Sequence, residues 1–175
     1  MTSIVLLQVT NKSAITNANK TLEKPIALKH IQKWLTADQF QELESKCAEQ
    51  KVFIWGAKPE RAHQFGKIPS GHSVALFRRD EMVYKCGTIT KWIFNPKLAE
   101  SMWGLDSDNE TWSFVCFLKD VKNSSIPVSQ INRLIGTKFT DHWQGLRVVE
   151  SPLADIVIDF VKLELRRAVN RTSRS

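Results

Sequence analysis

Hydrophobic positions along this chain change period several times. Residues 3–9 (SIVLLQV) form an apolar run of strand length, whereas residues 10–24 are rich in Asn, Lys and Thr and read as a loop. Thr36-Ala-Asp-Gln carries helix-start chemistry, with Thr36 as N-cap and Gln39 as its capping-box partner. Leu35, Phe40, Leu43 and Cys47 follow near helical spacing. Residues 52–55 form a compact strand closed by Gly56 and Pro59, and Ser70-Gly71 marks a turn. Residues 74–77 and 82–89 form a predicted hairpin around Arg79-Asp80. Asn95-Pro96 opens a short helix with proline in its first turn and Leu98, Ala99 and Met102 as its apolar residues. In residues 111–121, Trp112, Phe114, Cys116 and Leu118 share one face and Val115 and Phe117 the other, a doubly apolar pattern that predicts a central strand. Residues 129–135 make a short helical turn, and residues 153–169 an amphipathic helix. No internal repeat or low-complexity linker is visible.

Strands with short interposed helices and a final helix predict an α+β fold, a curved mixed sheet or small open β-barrel with flanking helices. The length of 175 residues fits one domain or one domain with a small appendage. The expected division is an N-terminal strand and helix extension over 1–47, the main domain over 48–169, and a tail or start of a linker over 170–175. A 42% hydrophobic content suffices for a packed core. No transmembrane run is present, and the apolar stretch 4–7 lacks a preceding basic segment, so neither a signal peptide nor a membrane partner is expected. The three cysteines, Cys47, Cys86 and Cys116, are odd in number and widely spaced; they read as free thiols of a cytoplasmic protein with no zinc site.

The net charge of +7 is uneven. Residues 51–91 hold eight Lys/Arg and three Asp/Glu, whereas residues 92–150 hold six and seven. A cationic excess in one strand-rich segment points to a polyanion. Arg78 and Arg79 at the hairpin tip, Lys85 and Lys91 on the flanking strand, and Arg61 and Lys67 are the candidate phosphate contacts. Arg166, Arg167, Arg171 and Arg174 either add to them or begin a linker.

Four of the six tryptophans, Trp55, Trp92, Trp103 and Trp112, lie between residues 51 and 120. Trp112 and Trp34 read as core. Trp103 adjoins Gly104, Asp106, Asp108 and Asn109, a polar turn expected to leave its ring free to stack on a base. Catalytic patterns are missing: His30, His63, His72 and His142 lack metal-ligand spacing, and no nucleophile elbow or phosphate-binding glycine loop occurs. The chain is expected to be a binding domain, not an enzyme, and to need no cofactor.

From about residue 51 to 135 the chain resembles the YTH domain and its relatives in the EVE and PUA-like superfamily. VFIWGAK resembles the first strand of a YTH domain, SVALF and YKCGTITK its next strands, SMWGLDSDNETW the loop that carries cage tryptophans, and FVCFLKDVKNSSIPVSQI the following strand and its exit. The Asn-Pro, Leu-Ala, Trp-Gly and Thr-Trp elements look closer to prokaryotic DNA-binding versions, found at the N-terminus of McrB-type and HNH-type modification-dependent restriction proteins. The resemblance implies a flipped modified base held in an aromatic pocket. Trp103 matches the loop tryptophan of the cage, and Trp55 or the backbone at Gly56 and Ala57 forms the opposite wall. Lys58 stands where the family often has a small polar residue. Trp92 or Trp143 completes the cage. Asp106, Asp108 or Asn109 would hydrogen-bond an exocyclic amine.

The implied partner is DNA carrying N6-methyladenine or 5-methyl- or 5-hydroxymethylcytosine, with a restriction nuclease in a further domain or subunit. A methylated-RNA-binding domain and a small PUA-like enzyme acting on RNA or nucleotides are the alternatives.

Overall fold

The computed structural model describes residues 1–69 and 72–173, so the turn expected at Ser70-Gly71 and Arg174 lie outside the described residues. The strands are β1 (Ser3–Gln8), β2 (Ile26–Ala27), β3 (Lys51–Ala57), β4 (Ser73–Arg79), β5 (Met82–Phe94), β6 (Phe114–Pro127) and β7 (Arg147–Glu150). The helices are α1 (Lys12–Thr21), α2 (Leu28–Ile31), α3 (Ala37–Lys46), α4 (Ala62–Phe65), α5 (Pro96–Trp103), α6 (Val128–Leu134) and α7 (Leu153–Thr172).

The strands form one sheet in the order β2-β3-β6-β5-β4-β1-β7. The β1–β4 pairing is parallel and the others are antiparallel, so the sheet is mixed. This is the expected α+β architecture, a curved, open sheet flanked by helices. Curvature has a local cause: the β5–β6 register shifts three times, between Val83 and Lys85, Cys86 and Thr88, and Ile89 and Lys91. Each irregularity bends and twists the ribbon. β1, from the segment expected as an extension, lies inside the sheet between β4 and β7.

Alternation along the strands builds a core on each face. Trp55, Phe77, Cys116 and Leu118 pack with Val5, Leu7 and Phe65 in one cluster. Ile54, Val115 and Phe117 point the other way and pack under α2, α3 and α5. A third cluster seats α6 and the first half of α7 against Ile4, Leu6, Leu76 and Ile126.

The segment read as a loop over 10–24 contains α1. Asn11 caps it by accepting the Ala14 N–H at 2.8 Å, and its inward face is Ala14, Asn17, Ala18 and Thr21. Small and polar inward residues give no apolar period, which is why the pattern hides the helix. The helix starts with cap chemistry are as expected. Thr36 Oγ1 accepts the Gln39 N–H at 3.2 Å while the Thr36 N–H donates to Gln39 Oε1 at 3.1 Å. Asn95 Oδ1 accepts the Leu98 N–H at 3.0 Å, with Pro96 following. The final helix runs on to Thr172, past the expected end at 169.

Candidate nucleic-acid interface

β3 ends in Trp55-Gly56-Ala57, paired with the start of β6 through Trp55↔Cys116, Gly56↔Val115 and Ala57↔Phe114. Gly56 is required by what lies over it. A Cβ there would stand 2.6 Å from Trp103 Cζ3 and 2.9 Å from Trp112 Cβ. Trp103, last residue of α5, thus packs its six-membered ring against the strand with 9% of its surface exposed, and its Nε1 donates to Thr21 Oγ1 of α1 at 3.1 Å. The expectation of a freely exposed Trp103 is therefore corrected. The polar turn after it is outside, but the chain reverses at Gly104, where φ is +78°, and leaves the indole behind.

Trp112 packs against two core clusters, as expected of a core residue, yet does not close over completely. It is only half-buried, its ring centroid is 4.9 Å from that of Trp55 and 5.6 Å from that of Trp103, and it lines two adjoining clefts. The smaller, about 230 Å³, is bounded by Trp55, Gly56, Ala57 and Trp112 on one side and by Leu7, Arg61 and Leu146 on the other. The larger, about 570 Å³, lies between α1 and the 104–112 loop. Asn11 and Lys58 border both. Nothing in the sequence singles out Asn11, because the helix it caps is not visible in the apolar pattern.

Lys58 fixes the wall between the clefts. Its Nζ lies 2.6 Å from Asp106 Oδ2 and 3.3 Å from Glu110 Oε2. Asp106 Oδ1 also accepts the N–H groups of Asp108 at 2.9 Å and Glu110 at 3.0 Å. The ammonium of Lys58, then these N–H donors, hold the Asp106 carboxyl below the ordinary aspartate range, and Asp106 in turn raises Lys58. A depressed folded-state pKa means that the carboxylate stabilises the loop above the ordinary aspartate range and ceases to as pH falls through the lowered value. The Asp106→Ala variant is accordingly expected to speed hydrogen exchange of the Asp108 and Glu110 amides at neutral pH, whereas in the unaltered protein their protection is lost only as pH falls below the ordinary aspartate range. Unchanged exchange in the variant would show that the loop holds itself.

Asp106 and Asp108 line the larger cleft, while Asn109 sits at the turn with φ +59° and borders neither. Trp92 packs with Phe65 and Phe114 at centroid distances of 5.4 and 5.8 Å and borders a separate cleft beside Glu42 and Lys91. Trp143 is 1% exposed in the cluster under α7, and its Nε1 donates to Asn132 Oδ1 at 2.6 Å. The structure thus brings Trp55, Gly56, Ala57, Lys58 and Trp103 together and leaves Trp92 and Trp143 elsewhere; Trp112 stands beside the first group.

With this geometry in hand, one solved structure is informative. The N-terminal domain of Thermococcus gammatolerans McrB, bound to m5C DNA, superposes with a TM-score of 0.67. The match covers 91% of this chain and 97% of that domain, at 14% identity. The chain shares the McrB N-terminal domain fold. No family model matches the chain, and no curated protein does either.

Within this McrB-like fold, four of the six expected phosphate contacts have internal partners. Arg78 is buried and donates through Nη1 to the His142 carbonyl at 2.7 Å. Arg79 stacks over the Tyr84 ring at 4.2 Å. Lys85 pairs with Glu23 at 3.0 Å and donates to Asn123 Oδ1 at 2.7 Å, and Lys91 pairs with Glu42. Their acids come from α3 and the residues after α1, far away in sequence, so the local charge excess counted them as free. Lys67 is exposed. Arg61 lines the smaller cleft, and Lys12 and Lys20 of α1 join Lys58 at the larger one. These cations, not the hairpin tip, border the clefts.

Proposed function

We propose that this domain binds DNA carrying a modified base and holds that base, flipped out of the duplex, in the cleft walled by Trp55, Gly56, Ala57 and Trp112. The observation that carries the proposal is the half-exposed Trp112 indole, set against Trp55 over a glycine floor and bordered by Lys58 and Arg61. At about 230 Å³ the cleft falls below the usual range for small-molecule sites, about 300–1,000 Å³, and suits one base better than a whole nucleotide. Extruding a base costs a few kcal/mol. Stacking on an indole returns about 1–3 kcal/mol, and burying a methyl group adds about 0.8 kcal/mol. A modified base therefore has more to gain from this cleft than an unmodified one.

The shared fold with a domain bound to m5C DNA supports 5-methylcytosine ahead of N6-methyladenine and favours DNA over RNA. In this role the domain is a YTH/EVE-like targeting module for a nuclease in the cytoplasm, with no chemistry of its own. The test is a panel of duplexes carrying 5-methylcytosine, 5-hydroxymethylcytosine, N6-methyladenine or no modification. Tightest binding is expected for 5-methylcytosine. The Trp112→Ala variant should lose about 1–3 kcal/mol on that duplex while binding unmodified DNA almost as before, because phosphate contacts supply the latter. Equal affinity across the panel in the unaltered protein would overturn the proposal.

A further inference from the structure

Stacking and methyl burial do not by themselves identify 5-methylcytosine. Thymine carries the same methyl group, stacks on an aromatic ring as readily, and occurs throughout DNA. The two bases differ on the Watson–Crick edge. Where cytosine presents its N4 amine as a donor, thymine presents O4 as an acceptor. A cleft that keeps one base and refuses the other needs a fixed acceptor at that edge.

Glu60 is the one carboxylate among the described residues that line the smaller cleft. It follows Pro59 in the short turn that leaves β3, and it is exposed. Its side chain has no ion-pair or hydrogen-bond partner among the described residues, because the neighbouring Lys58 is taken by Asp106 and Glu110. Asp106 and Asp108, expected to meet an exocyclic amine, line only the larger cleft, and Asp106 is already held by Lys58 and two backbone N–H groups.

The donor at the smaller cleft is Asn11. Its Oδ1 accepts the Ala14 N–H at 2.8 Å, so Nδ2 is the half of the amide left without a partner among the described residues. Gln8, the other side-chain amide there, gives its Nε2 to the His142 carbonyl at 2.8 Å.

Resting on the base-binding reading above, we propose that Glu60 and Asn11 read the Watson–Crick edge of the flipped base. The Glu60 carboxylate accepts from the N4 amine of 5-methylcytosine, and Asn11 Nδ2 donates to N3 or O2. Thymine sets O4 against the carboxylate, acceptor against acceptor. A site built to hydrogen-bond rejects a base that leaves its polar group unpaired more strongly than an apolar pocket rejects a change of shape. Glu60 thus determines specificity, while the indoles supply affinity.

The test is equilibrium binding to three duplexes of one sequence, with 5-methylcytosine, cytosine or thymine opposite the same guanine. The mismatched thymine leaves the helix most easily, so the comparison is weighted against its rejection. The unaltered protein is expected to bind 5-methylcytosine at least about tenfold more tightly than thymine. Glu60→Gln keeps the side-chain length but presents an amide that also donates, and should bring that ratio close to one. Asn11→Asp keeps the cap of α1 and replaces the donor by an acceptor. Its melting temperature should be unchanged while its preference for 5-methylcytosine over cytosine falls. An unchanged ratio in either variant, or thymine bound as tightly as 5-methylcytosine by the unaltered protein, overturns the inference and leaves the base-binding reading standing. Equal binding of 5-methylcytosine and cytosine by the unaltered protein overturns both.

Discussion

The Trp103→Ala variant is expected to lose about 3–5 kcal/mol of folding stability, the cost of emptying a well-packed indole site. That is a large share of the roughly 5–15 kcal/mol that holds a domain folded. For a chain of this size it lowers the melting temperature by about 6–20 °C. The cause is the position of the ring. It is 9% exposed, spans from β3 to α1, and gives its only N–H to Thr21. Removing it leaves a void above Gly56 and takes from the Thr21 hydroxyl the donor it accepts, leaving only its own bond to the Asn17 carbonyl. Among the molecules that remain folded, preference for modified DNA should persist, because Trp55 and Trp112 still wall the smaller cleft. A melting change of a degree or two together with lost discrimination would return Trp103 to the role of a base contact.

Adding one methyl group is expected to do comparable damage from the opposite direction. In Gly56→Ala the new Cβ meets Trp103 Cζ3 at 2.6 Å, Cη2 at 2.7 Å and Trp112 Cβ at 2.9 Å. The rings must move, at about 1–3 kcal/mol of stability. Movement of Trp112 also closes or tilts the cleft wall, so binding of modified DNA should fall by more than binding of unmodified DNA. The two substitutions should be non-additive, with Gly56→Ala costing less in the Trp103→Ala background. Relief is partial, since the Trp112 Cβ stays close. Strict additivity in melting experiments would show that the contact is not what limits the site.

Legibility in the sequence followed the range of the interactions involved. Cap chemistry is local, so α3 and α5 could be placed from Thr36, Gln39, Asn95 and Pro96. Strand period is local too, which found β3, the β4–β5 hairpin and the central position of β6. Helix α1 was hidden because its inward face is alanine, asparagine and threonine, and the short β7 carries no clear period of its own. At the site, the cluster of Trp55, Gly56 and Lys58 followed from the quoted strand motif. The burial of Trp103 and the partial exposure of Trp112 did not, because they depend on where the backbone turns at Gly104 and on a strand and helix packed from far away. The charge count met the same limit. Glu23, Glu42 and His142 are distant in sequence from the cations they satisfy, and a count along the chain cannot pair them.

The position of β1 has a kinetic consequence. Ser3 is registered with Ser73 on one side and with Glu150 on the other. Neither neighbour is local, so the central strand of one end of the sheet cannot be paired until loops of about 70 and 147 residues have closed. Such separations raise the contact order and slow folding relative to a sheet built from hairpins. During synthesis the run Ile4-Val5-Leu6-Leu7 emerges well before its partners and carries both edges unpaired until they arrive. In that interval it is open to pairing with another chain; making β4 closes one edge, and the other stays open until β7 is made.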